Sequence, residues 1–267
     1  MTLSYSPGMM AGCVGAGLLC ALVQRLAKRS FEPRQYHYLR DLLLVGAWML
    51  LAIWFGSPRS RFVVGASFLA GVVGLAENHW PLPWGLGYLL VGFACAFLGP
   101  SIGFISFTDG EYIYLSPLMS VALTSLWFAV FPLIVRQMDA VSGLVGHVLA
   151  VTFSLMLVSV VLSGSGMQDA FFMSFAGLVL LSAFWSRFGN VYRQAGKPLS
   201  AMWGVLVAGT AILGVSKGIV FSSMLYLSLG LFALPLAEAS MNLASLALAD
   251  EPHGTERLYR GLIRRGL

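Results

Sequence analysis

The sequence predicts an all-α integral membrane protein of about nine transmembrane helices, and three observations carry that prediction. Of its 267 residues, 58% are hydrophobic and 10% charged, against roughly 45–50% and 25% in soluble domains. Its apolar residues fall into nine stretches near the length that a helix rising about 1.5 Å per residue needs to cross the hydrocarbon core. Its basic residues gather between alternate stretches, as the positive-inside rule requires. This composition excludes a soluble enzyme with a single core.

The nine spans are expected at about 8–27, 39–56, 62–76, 84–106, 115–135, 141–163, 169–186, 199–216 and 218–248. A basic segment, 25–40, separates the first two. The third is short and ends at Glu77-Asn78-His79-Trp80; Trp80 and Trp84 suit the membrane interface on either side of the loop that follows. Between the fourth and fifth, Asp109 and Glu111 read as a solvated loop. Arg136 and Asp139 lie between the fifth and sixth, and Arg187 to Lys197 follow the seventh. The ninth is long and carries Pro235, which bends or breaks a helix.

With residue 1 outside, thirteen of the sixteen basic residues fall on the cytoplasmic side, leaving Arg59, Arg61 and Lys217 opposite. The predicted orientation is therefore N-out, C-in, and the net charge of +5 is a topology signal rather than a nucleic-acid footprint. No basic residue precedes the first apolar run, which argues against a signal peptide. Cys13, Cys20 and Cys95 lie inside apolar runs and read as packing residues. The expected organisation is one polytopic domain, 1–267, whose segment 249–267 is a basic cytoplasmic tail.

Ionisable groups near helix ends are costly unless paired or hydrated, which makes them candidates for function. On the predicted cytoplasmic side these are Glu77, Asn78 and His79, then Arg136 and Asp139, then Arg187 to Lys197. Glu238 falls within the ninth span just after Pro235, where a broken helix beside an acid lines a cavity or a partner surface.

The order of these residues resembles the polyprenyl-phosphate N-acetylhexosamine-1-phosphate transferases, membrane enzymes that begin bacterial lipid-linked sugar assembly. Phe62 to Asn78, FVVGASFLAGVVGLAEN, looks like the family helix ending in Gly-Leu/Ile-x-Asp-Asp, with Glu77 and Asn78 in place of the aspartates. Thr124 to Gly146 is similar to T-x-L-W followed by N-A-x-N-x-x-D-G-x-D-G-L. Thr124, Trp127, Asp139, Gly143 and Leu144 match; Leu133 and Arg136 replace the asparagines, and Ser142 an aspartate. FWSRFGNVYRQAGKPLSAMWG fits the next motif at Gly196, Ser200 and Gly204, but Lys197 stands at the metal-binding aspartate and Arg187 at an asparagine. Ala233 to Ser240 resembles V-P-x-F-D-T, with Glu238 at the acid. Arg257, Tyr259 and Arg260 take the places of a histidine loop, and Arg34 to His37 is similar to an R-x-x-H before the second helix.

In that family Mg²⁺ neutralises charge developing as a lipid phosphate attacks a nucleotide-sugar pyrophosphate, and magnesium demands hard oxygen ligands. The resemblance therefore implies a degenerate member, a pseudoenzyme. Asn78 is no base, Ser142 removes an acid, and Lys197 places an ammonium where the cation would sit and pairs with Asp139 or Glu77 instead. No cofactor is expected; Asp139 and Glu77 are the ligands if a metal binds at all. Arg34, His37, Arg136, Arg187, Arg257 and Arg260 are candidates for holding a lipid phosphate without cleaving it. The expected setting is the bacterial inner membrane, with polyprenyl phosphate or another membrane protein as partner, including a homo- or heterodimer.

Each residue also has a plainer role. Lys197, Arg187 and the C-terminal arginines serve as headgroup anchors, Asp139 as a helix cap, Glu77 and His79 as solvated loop residues, and His37 and His147 as structural histidines. Two other functions stay open. One is an active transferase using Glu77, Asp139 and Glu238. The other is a small transporter or flippase, which needs a polar path that the apolar span centres do not supply.

Overall fold

A computed structural model describes residues 7–30, 33–77, 84–106, 112–139, 144–163, 168–183 and 196–214, all within the compact unit Met1–Phe221. Among them are eight helices: α1 (Pro7–Ser30), α2 (Pro33–Phe55), α3 (Pro58–Ala76), α4 (Trp84–Leu98), α5 (Pro117–Asp139), α6 (Leu144–Ser163), α7 (Gln168–Ala183) and α8 (Lys197–Leu213). Stretches within α1, α3, α5 and α6 are long and apolar enough to cross a membrane, and α2, α4, α7 and α8 contribute shorter apolar helices. The chain is a multi-pass helical membrane protein. Large apolar side chains such as Leu18 and Leu22 on α1, Leu50 and Trp54 on α2, and Leu90 and Phe97 on α4 are exposed, a surface suited to lipid rather than to water.

The centre of the bundle is α8. Every residue from Leu199 to Leu213 is buried, as expected of a helix that is apolar all round. It packs most extensively against α3 and α5, antiparallel to both. Because lipid tails are as apolar as leucine, such packing is driven by close approach rather than by exclusion of water, and small residues allow it. A Cβ on Gly74 of α3 would lie 2.9 Å from Pro198 Cα and 3.0 Å from the Lys197 carbonyl oxygen. One on Gly204 of α8 would meet the Pro132 backbone nitrogen at 2.6 Å. Pro132 lies inside α5 and removes a helical hydrogen bond there, so α8 seats its barest position against the interrupted turn. Trp203 of α8, fully buried, meets Trp48 of α2 and Phe153 of α6 edge-on, at centroid distances of 6.3 and 5.8 Å.

Several boundaries differ from the sequence expectation: α2 begins at Pro33 rather than 39 and α5 runs to Asp139 rather than 135, and two further shifts have a visible cause. The third span begins at Pro58 rather than 62: the Ser57 hydroxyl accepts from the Arg59 and Ser60 amides, and proline occupies the first helical position. The fourth ends at Leu98 instead of 106. Gly99 and Pro100 stop it, and the chain turns into an antiparallel hairpin of β1 (Phe104–Ser106) and β2 (Tyr112–Tyr114). The aromatic and β-branched residues of FIS and YIY suit strands. The Ile102 amide, just before β1, donates to the buried Thr124 hydroxyl at 3.0 Å, which ties the hairpin's base to α5. The expected ninth span, with Pro235 and Glu238, lies outside the described residues.

Candidate functional site

The ends of α3, α5 and α8 converge because the three helices alternate in direction. Gly74 lets the last turn of α3 touch the first residues of α8, and three residues later the chain reaches Glu77. There the Arg136 guanidinium, in the last turn of α5, forms an ion pair with Glu77 Oε2. The Glu77 side chain is 4% exposed and that of Arg136 22%, so the carboxylate lies deeper than the cation that neutralises it. A solvated-loop role for Glu77 is thereby corrected.

A few residues along α5, the Asp139 carboxylate accepts from the Gly196 amide at 2.8 Å. Gly196 precedes α8 with a φ of 93°, a left-handed conformation that glycine adopts without strain. It offers α8 no side-chain cap, so Asp139 supplies from another helix the anion that an N-terminus attracts. Ser200 Oγ donates back to the Gly196 carbonyl at 2.9 Å.

Lys197 does not take the position expected of it. It makes no ion pair with Glu77 or Asp139; the first carboxylate goes to Arg136 and the second to a backbone amide. Lys197 opens α8 with its backbone against Gly74, while the Arg136 guanidinium and the Gly196 amide engage the two carboxylates.

The structure therefore brings Glu77, Arg136, Asp139 and Lys197 to one end of the bundle. Asn78, Ser142, Arg187, Glu238, Arg257 and Arg260 lie outside the described residues, as do His79 and the side chains of Arg34 and His37. His147 sits on the exposed side of α6. Among the described residues no group of three metal-ligating side chains comes together.

One member of this site was not foreseen. Tyr88 of α4 is fully buried, and its hydroxyl neighbours both Glu77 and Arg136. Neither that hydroxyl nor Glu77 Oε1 meets hydrogen-bond geometry with a described partner. An unsatisfied buried polar atom costs about 1–3 kcal/mol and calls for an explanation. The available signal was a lone tyrosine one turn into an otherwise apolar helix, on the side of the loop that carries Glu77.

At the opposite end, Asp169 also escaped the sequence reading. It joins the start of α7 to the start of α3, accepting from Ser57 Oγ at 2.6 Å, Ser60 Oγ at 2.9 Å and the Ser57 amide at 3.3 Å. Arg61 sits close by and donates to the Ala52, Ile53 and Gly56 carbonyls at the end of α2. An acid in the first turn of a helix was the sequence cue. Both oxygens of Asp169 are satisfied, which makes this a structural junction.

No known family model matches the chain, and no curated protein matches it.

Proposed function

We propose that the chain is a catalytically degenerate homologue of the polyprenyl-phosphate sugar-1-phosphate transferases, serving as a lipid-phosphate-binding or partner-binding subunit in cell-envelope polysaccharide assembly. In this reading nine helices cross the bacterial inner membrane, N-out and C-in, and the Glu77 end faces the cytoplasm. The observation that carries it is the pairing of Glu77 with Arg136 while Asp139 is engaged by the Gly196 amide. These carboxylates correspond in sequence order to the acidic positions of the family site, yet each already has a partner within the protein. That arrangement does not fit Mg²⁺, which requires several hard oxygen ligands and is repelled by a neighbouring guanidinium. Arginine is suited to holding phosphate.

The deciding experiment incubates the purified chain with a radiolabelled UDP-sugar, Mg²⁺ or Mn²⁺, and polyprenyl phosphate. The expected result is binding of the lipid phosphate without lipid-linked sugar; clear formation of that product refutes the proposal. One observation favours the alternative of an active transferase. The orphaned Glu77 Oε1 is a buried acid oxygen left without a described partner. That alternative predicts metal-dependent turnover abolished by Asp139→Asn.

A further inference from the structure

The Glu77 carboxylate is incompletely satisfied in a place where satisfaction is near. One oxygen meets Arg136 and the other meets no described donor, and the hydroxyl of Tyr88, a neighbour of the Glu77–Arg136 pair, is equally without a described partner. The guanidinium differs from both. It carries five N–H donors, and its side chain is 22% exposed where Glu77 is 4% and Tyr88 wholly buried. Arg136 is thus the member of the trio that an anion arriving at this end of the bundle reaches first.

We propose that Arg136 is a shared cation: it pairs with Glu77 in the unliganded protein and turns to a phosphate monoester when one binds, whereupon the Tyr88 hydroxyl donates to Glu77 in its place. The inference deepens the lipid-phosphate reading above and rests on it. Two physical consequences follow. A phosphate bound at the guanidinium shares its counter-charge with Glu77, so the Glu77 charge opposes binding and sets its strength. Without a standby donor, turning Arg136 away leaves a buried carboxylate unpaired, which is strongly unfavourable; the Tyr88 hydroxyl lowers that cost.

The test titrates the detergent-solubilised full chain with a short-chain polyprenyl monophosphate, and in parallel with inorganic phosphate, measuring dissociation constants. Glu77→Gln is expected to bind about tenfold more tightly than wild type, because one charge competing for the guanidinium is gone. Tyr88→Phe is expected to bind several-fold more weakly, and to have no effect in the Glu77→Gln background, which a merely structural role for the hydroxyl would not produce. Glu77→Gln/Arg136→Gln removes both partners, keeps the fold, and is expected to lose phosphate binding.

A response to the lipid alone assigns the site to a membrane-borne headgroup, and a response in both arms shows that the phosphate suffices; either supports the site. If binding depends on Arg136 but Glu77→Gln gains nothing, the shared-cation device is overturned while the lipid-phosphate reading stands. If neither wild type nor Glu77→Gln binds either probe, both are overturned.

Discussion

Asp169 and Glu77 stand at opposite ends of α3, and each meets a residue from another helix, but they are treated differently. Asp169 receives two hydroxyls and an amide, all neutral, and both its oxygens are occupied. Glu77 receives a full positive charge on one oxygen and nothing described on the other. The first arrangement is closed: there is no donor left over and no reason to exchange partners. The second leaves a carboxylate oxygen and a tyrosine hydroxyl unspent next to a guanidinium that solvent reaches. The two ends thus differ in whether polar groups are left over beside a charged pair, and the proposed phosphate site is placed at the end where they are.

The largest expected effect comes from separating the charged pair. Arg136→Gln leaves Glu77 buried without its cation and should cost about 3–5 kcal/mol, seen as a lower unfolding temperature in mild detergent; adding Glu77→Gln should restore most of it. A harmless single substitution would show that Glu77 is not held as described. Next, Asp169→Ala removes charge-assisted bonds and strands two serine hydroxyls, a loss of about 2–3 kcal/mol. Phosphate binding at the other end should be unaffected, and a change there would erase the division of labour between the two ends.

Gly74→Val sets a branched side chain against the α8 backbone and should destabilise by about 1–3 kcal/mol, while also weakening phosphate binding because Glu77 sits one turn beyond. Asp139→Ala removes the anion at the start of α8, a loss of about 1 kcal/mol by the same detergent melt. The smallest effect is the most diagnostic. Tyr88→Phe deletes a buried hydroxyl that has no described partner, so the unliganded protein should melt no lower than wild type and is expected to gain up to about 1 kcal/mol.

Much of the helical framework was legible beforehand because a hydrocarbon solvent imposes one simple demand, an apolar run of sufficient length. The runs predicted at 8–27, 115–135 and 199–216 correspond to α1, α5 and α8 with shifts of a few residues at their ends. The error at 84–106 arose because apolar content alone does not separate a helix from a hairpin: Phe104-Ile105-Ser106 is as hydrophobic as the helix before it, and Gly99-Pro100 was the overlooked stop. Arg136 and Asp139 were legible as candidates because charges beside apolar spans are conspicuous. Their partners were not. Lys197 looked like the natural mate for Glu77 or Asp139 by charge, but the antiparallel packing of α3 on α8 gives Glu77 to a cation of α5. Tyr88 was passed over because a tyrosine in an apolar helix is ordinary until its neighbours are known.

The amino-acid order by itself determined that this is a helical membrane protein, and where its charges gather, since both follow from local runs of residues judged against the bilayer. Only the tertiary structure decided that α8 is enclosed by its neighbours, that Gly204 faces Pro132, and which cation meets which acid. Those outcomes depend on contacts between residues more than fifty positions apart, where direction of approach and the presence or absence of a single Cβ settle what hydropathy cannot distinguish.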